Sequence, residues 1–150
     1  MTLEAILAYL HLLAILTAVV FLTSEAALCR MEWMNAQVVR RLRAIDRIYW
    51  IAMAAIAVTG VARWLLGSKG VAWYAGNWLL WSKVVLFAAM AGMSVAPTRA
   101  FAAWNGRLQR DGTLPGEADV TRARRMVLRA GHVLPLIPLP AVFLARGFGG

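Results

Sequence analysis

Apolar residues in this chain fall into four long runs, separated by segments rich in Arg, Gly and turn-forming residues. The first, residues 3–28, reads LEAILAYLHLLAILTAVVFLTSEAAL and is interrupted inside only by His11, Glu25 and a few hydroxyls. About 20 helical residues cross the hydrocarbon core of a bilayer, so this run is long enough to span. It lacks the basic leading region of a cleavable signal peptide, and it exceeds the roughly 7–15 apolar residues of one. Further runs cover residues 45–66, 78–96 and 127–145. The pattern predicts an all-α chain, a four-helix transmembrane bundle forming a single integral membrane domain over residues 1–150.

The connections carry their own signals. Residues 29–47 form a basic stretch with helical spacing. Residues 67–77, GSKGVAWYAGN, read as a turn, with Trp64, Trp73, Tyr74, Trp78 and Trp81 around it as in an interfacial aromatic belt. Residues 97–109 can continue the third run as an amphipathic helix, and DGTLPG at 111–116 is a turn. Helical patterning resumes at Glu117, and Pro135, Pro138 and Pro140 predict a kink in the fourth run.

With 61% hydrophobic and 15% charged residues, and a mean hydropathy of +0.65, the composition belongs to a membrane protein. The net charge of +9 does not imply nucleic acid, because the basic residues sit between the apolar runs. Twelve of the 16 lie in the first-to-second and third-to-fourth connections, among them Arg40, Arg41, Arg43, Arg107, Arg122 and Arg125. Arg63, Lys69, Lys83 and Arg146 lie at the other face. The positive-inside rule then predicts an antiparallel bundle with both termini outside, the periplasmic side of a bacterial inner membrane. The single cysteine, Cys29, excludes an internal disulfide, and two histidines are too few for an all-histidine metal cage.

Ionisable groups inside such helices are costly against lipid and should face protein, a cofactor or water. His11, Ala14, Ala18 and Glu25 follow one stripe of the first helix. By the helical rise, His11 lies roughly 12 Å and Lys83 roughly 7 Å below the outer surface, so with Trp81 they define an outer layer. Glu25, Asp46, Arg47, Arg129 and His132 define an inner one. A neutral imidazole in a membrane helix is a ligand for haem iron, and a lysine beside it can meet a propionate. A histidine bonding a neighbouring helix and a snorkelling lysine are the structural alternative. For the inner layer the alternatives are an ion pair of Glu25 or Asp46 with Arg47 or Arg129, and a proton path through Glu25 and His132. Met53, Met90 and Met93 read as packing rather than as iron ligands. A bis-histidine pair of His11 and His132 is strained, because their depths differ by roughly 10 Å.

The segments LEAILAYLHLLAI, RRLRAIDRIYWIAMAAIAVTGVARWLLGSKG, NWLLWSKVVLF and LIPLPAVFLARGFG together resemble a bacterial family of four-helix membrane proteins of unknown function. More distantly the plan is similar to the HemJ-like protoporphyrinogen oxidases and to CopD-like membrane domains of copper-resistance proteins. That resemblance implies haem b, with a functional histidine early in the first helix and a functional lysine early in the third, preceded by tryptophan. His11 and Trp81/Lys83 stand at those positions. FLTSEAALCRM at 21–31 departs from the aromatic and arginine-containing segment of that family, which weighs against protoporphyrinogen oxidation itself. The resulting expectation is a membrane protein that binds haem b or a porphyrin at His11, Lys83 and Trp81, with His11 as the iron ligand. The other classes are an accessory subunit of a larger respiratory or photosynthetic membrane complex, a homo-oligomer among them, and a transporter for a metal or small anion.

Overall fold

The structure, a computed structural model, describes residues 2–67 and 70–149. Among these the chain is all-helical: α1 (Thr2–Leu28), α2 (Ala36–Leu65), α3 (Val71–Gly76), α4 (Trp78–Asp111), α5 (Glu117–Val133) and α6 (Pro138–Ala145). Four helical stretches are long and apolar enough to cross a membrane: α1, α2, α4, and the α5–α6 pair taken together. Lys69, counted above at the outer face, lies outside the described residues.

The helices run further than the apolar runs, because hydropathy marks what lipid can hold whereas caps mark where helices stop. After a 3-10 turn at Met31–Trp33, α2 starts nine residues before the second run. Asn35 caps it there, its side-chain oxygen accepting from the Gln37 and Val38 amides at 2.9 and 3.0 Å. Helix α4 passes through Pro97 without breaking and ends at Gly112, whose φ of 73° lets the chain turn left-handed and bond back to the Leu108 carbonyl. The fourth span does break, as its prolines predict. A 3-10 turn at Leu134–Leu136 separates α5 from α6. Proline lacks an amide proton, so Pro135 and Pro138 each remove one helical hydrogen bond.

Helix α1 packs along α2, α2 packs on α4, and α4 packs on both α5 and α6, with α5 also touching α1. The α1 face turned inward is Ala14, Ala18, Leu22 and Glu25, so the predicted stripe is the packed one. Small residues there let α2 come close, which matters because lipid competes equally for larger apolar side chains. The main core is Leu22, Leu42, Tyr49, Met53, Met90 and Phe101 with the buried face of α5. A separate small cluster of Leu79, Leu80 and Leu144, under Trp64, Trp73 and Tyr74, joins α6 to the start of α4. Met53 and Met90 lie in the core, as packing residues should.

Asn77 fastens the second cluster. Fully buried, it caps α4 through the Leu79 amide at 3.0 Å and donates to the Phe148 carbonyl at 2.9 Å. Gly149, at φ 84°, passes so close that an added Cβ would lie 2.7 Å from Asn77 Oδ1. Asn77→Ala is expected to lower stability by about 1–3 kcal/mol, the cost of the buried Leu79 amide losing its acceptor, and Gly149→Ala to act the same way through strain. Unfolding midpoints of the detergent-solubilised variants, compared with the parent chain, check both.

Candidate functional site

The two polar layers differ in how they are built. The outer one lies between the two hydrophobic clusters, on α1, α2 and α4. His11 Nδ1 lies 2.8 Å from the Thr59 hydroxyl, which donates its proton to the Ala55 carbonyl at 2.6 Å. Having spent its proton, Thr59 accepts from His11, so Nδ1 is protonated and Nε2 keeps its lone pair. Gly60 sets the approach, since a Cβ there would sit 3.4 Å from His11 Cε1. Arg63, one turn beyond Thr59, and Lys83 on α4 are near enough to act electrostatically on His11, and Arg63 acts on Lys83 as well. The layer thus gathers one free imidazole nitrogen and two cations from three helices. Lys83 is half-buried.

Trp81 does not join them. Two positions from Lys83 on a helix, it points to another side. Its indole donates to the Ala75 carbonyl at 2.8 Å and packs edge-on against Trp64, with 48% of its surface exposed. Its place is in the aromatic belt. Thr59 and Gly60 are the residues that the reading of the sequence missed, although they share one segment, TGVAR, with Arg63, which was expected at the outer face.

The inner layer is a hydrogen-bonded network centred on Thr98 of α4. Its hydroxyl donates to Asp46 Oδ1 at 2.6 Å and accepts from the Trp50 indole at 2.7 Å. Arg43 holds Asp46 Oδ2 at 2.8 Å. One turn along α4, the Ser94 hydroxyl donates to the Met90 carbonyl and accepts from the Tyr49 phenol at 2.8 Å. These partners follow helical arithmetic: Asp46, Tyr49 and Trp50 stand at i, i+3 and i+4, and Ser94 and Thr98 four apart.

Glu25 stands against this network and is 2% exposed, with Asp46 and Tyr49 close enough to feel its charge. Its Oε1 has no hydrogen-bond partner among the described residues. The arginine partner of Asp46 is therefore Arg43, not Arg47 or Arg129 as expected. Arg129 and His132 lie exposed on the face of α5 opposite Val120, Ala123, Val127 and Ala130, because the helical stripe that packs leaves them outside. His132 Nδ1 bonds the Leu128 carbonyl of its own helix at 2.5 Å. The proton path through Glu25 and His132 finds no connection in this arrangement. Cys29, buried below Glu25, points its thiol at the Val120 carbonyl 3.7 Å away and so ties α1 to α5. Among the described residues, no three His, Cys, Asp or Glu side chains come together as a metal site would need.

A family model described as "Predicted membrane protein (DUF2214)" matches residues 3–149. No curated protein and no solved structure matches the chain. The comparisons do not show the more distant likeness to HemJ-like and CopD-like proteins.

Two substitutions separate the roles of the inner carboxylates. Thr98→Val removes the donor to Asp46 and the acceptor of Trp50 at once, and is expected to lower stability by about 1–3 kcal/mol. Glu25→Gln keeps the shape of a side chain whose Oε1 has no hydrogen-bond partner among the described residues, so the unfolding midpoint should hold or rise. Thermal unfolding in detergent reads both. A large loss with Glu25→Gln would show that its carboxylate is structurally bound after all.

Proposed function

The chain belongs to the DUF2214 family of predicted membrane proteins, and on that premise we propose that it is a single-domain, antiparallel four-span protein of a bacterial inner membrane that binds haem b or a porphyrin in its outer half. The antiparallel arrangement is supported by the register of the polar contacts. Between α1 and α2 the pairs are His11 with Thr59 and Glu25 with Asp46, so one number falls as the other rises. Between α2 and α4, Asp46 meets Thr98 and Tyr49 meets Ser94 in the same sense. Periplasmic termini are supported by the arginines of the two connecting segments at the opposite end.

The observation that carries the ligand reading is the hydrogen bond between His11 Nδ1 and Thr59. With its own proton given to Ala55, the Thr59 hydroxyl accepts from Nδ1–H, which orients the ring and leaves the Nε2 lone pair for a metal, as a metal-bound histidine requires. Arg63 and Lys83 supply the cations that two ring carboxylates would need in a medium where unpaired charge is costly. The residues therefore fit a haem: His11 would hold the iron, and Lys83 and Arg63 the propionates. Such a group, when bound, would supply one-electron redox chemistry. The protein's own part is to fix the imidazole ring through Thr59, to let it lie close over Gly60, and to neutralise the anionic edge of the ligand.

Protein purified from cells well supplied with haem should show a Soret band, and His11→Ala should abolish it. Lys83→Ala should weaken retention while keeping the band of the His-ligated form, and Lys83→Arg need not restore retention, since a planar fork does not replace a point charge. Colourless protein would overturn the proposal and favour the accessory-subunit reading. For topology, a reporter fused at the C-terminus should be active in the periplasm, and activity confined to the cytoplasm would reverse the orientation.

A further inference from the structure

Beyond the inner ends of the apolar runs, α4 and α5 continue side by side and enclose a groove of about 560 Å³. Its composition changes along its length. On the α4 wall the half nearer the bilayer is Ala96, Ala100 and Ala103, and the far half is Gly106, Arg107 and Arg110. The α5 wall repeats the gradient in the opposite chain direction, with Met126 and Ala123 first and then Arg122 and Asp119. The two walls are in register at the Arg107–Asp119 contact of 3.7 Å.

Three arginines face one aspartate here, and that single ion pair is long and open to water, so it holds little. The Arg107 Nε is buried and has no hydrogen-bond partner among the described residues. A buried donor of this kind needs an acceptor. Arg110 folds back over Gly106, its Nη1 4.0 Å from where a Cβ of that glycine would be, so two guanidinium groups share the same end. Taking the Trp64–Trp81 contact as the outer boundary, the hydrocarbon ends about 20 residues further along α4, near Phe101. By the helical rise Arg107 is then about 9 Å beyond it, at headgroup depth.

We propose that this groove is a binding site for one anionic phospholipid, its phosphate between Arg107, Arg110 and Arg122 and the upper part of an acyl chain on the alanine floor. The charge of the far end calls for a phosphate, and the apolar end directed at the bilayer calls for a hydrocarbon chain attached to it. A free phosphate would satisfy the first feature and leave the second unused. The site is independent of the His11 layer, which lies at the opposite end of the bundle.

The whole chain, reconstituted in phosphatidylcholine nanodiscs doped with phosphatidylglycerol, is released and weighed by native mass spectrometry. One retained phosphatidylglycerol is expected. The double variant Arg107→Gln/Arg122→Gln should weaken retention by about fivefold for each arginine removed. Arg99→Gln, which removes the same charge from α4 outside the groove, should leave retention unchanged. Ala103→Leu should weaken it without altering charge, because it fills the floor. If the double variant fails to fold, Arg110→Gln alone gives the same reading at about fivefold. Retention by the arginine variants equal to the parent chain overturns the proposal. Displacement of the lipid by excess inorganic phosphate overturns it too, since the site would then read a free anion.

Discussion

The hydrogen bond from Thr98 to Asp46 holds together what the bilayer would otherwise leave indifferent. In lipid, an apolar side chain gains little by exchanging a hydrocarbon neighbour for a helix, so association rests on close approach and on polar contacts. Thr98 joins α4 to α2 through Asp46 and Trp50, Ser94 repeats the connection to Tyr49 one turn away, and His11 with Thr59 joins α1 to α2. Each pair also removes a polar group from the hydrocarbon, where an unmatched one is costly. Helix order and helix register follow from the same few contacts.

Because the Thr98 and Ser94 contacts and the main core gather toward the inner end, the bundle is unevenly filled. Met53 and Met90 are the outermost fully buried side chains of the main core, and beyond them the Leu79, Leu80 and Leu144 cluster and the Asn77 clasp bind α6 to α4. His11 and Lys83, half-buried, and Arg63, exposed, stand outside that core. That separation is chemically sensible: the tightly packed half fixes the helices, and the looser half presents a free imidazole nitrogen and two cations. Glu25 is the exception, a buried carboxyl with an unmatched oxygen inside the well-packed half.

Much of this was legible in the chain. Run lengths and composition point to four membrane-crossing helices, the stripe of His11, Ala14, Ala18 and Glu25 marks the packed face of α1, and the three prolines of the last run mark its break. The burial of Glu25 and Asp46 follows from their cost in lipid. What escaped the reading was partner choice. Arg43 stands three residues before Asp46, on the same helical face, whereas Arg47 follows it directly and projects elsewhere, so the spacing within α2 selects Arg43. Arg129 and His132 looked like interior groups because they lie at the start of an apolar run. The face of α5 is set, however, by Val120, Ala123, Val127 and Ala130, and the two polar residues are turned away from it. Thr59 was passed over because hydroxyl residues in membrane helices commonly bond their own preceding turn, as this one also does.

The break between α5 and α6 has a mechanical meaning. An unbroken helix bends only by straining its ladder of hydrogen bonds, but at Leu134–Leu136 Pro135 and Pro138 have already removed two rungs. The eight residues of α6 are attached to the rest by this turn, by the leucine cluster and by the Asn77 clasp. Tilting α6 therefore stretches a few side-chain contacts and leaves α5, with everything packed beneath it, undisturbed. The outer end of the bundle is in this sense a compliant part mounted on a stiff base.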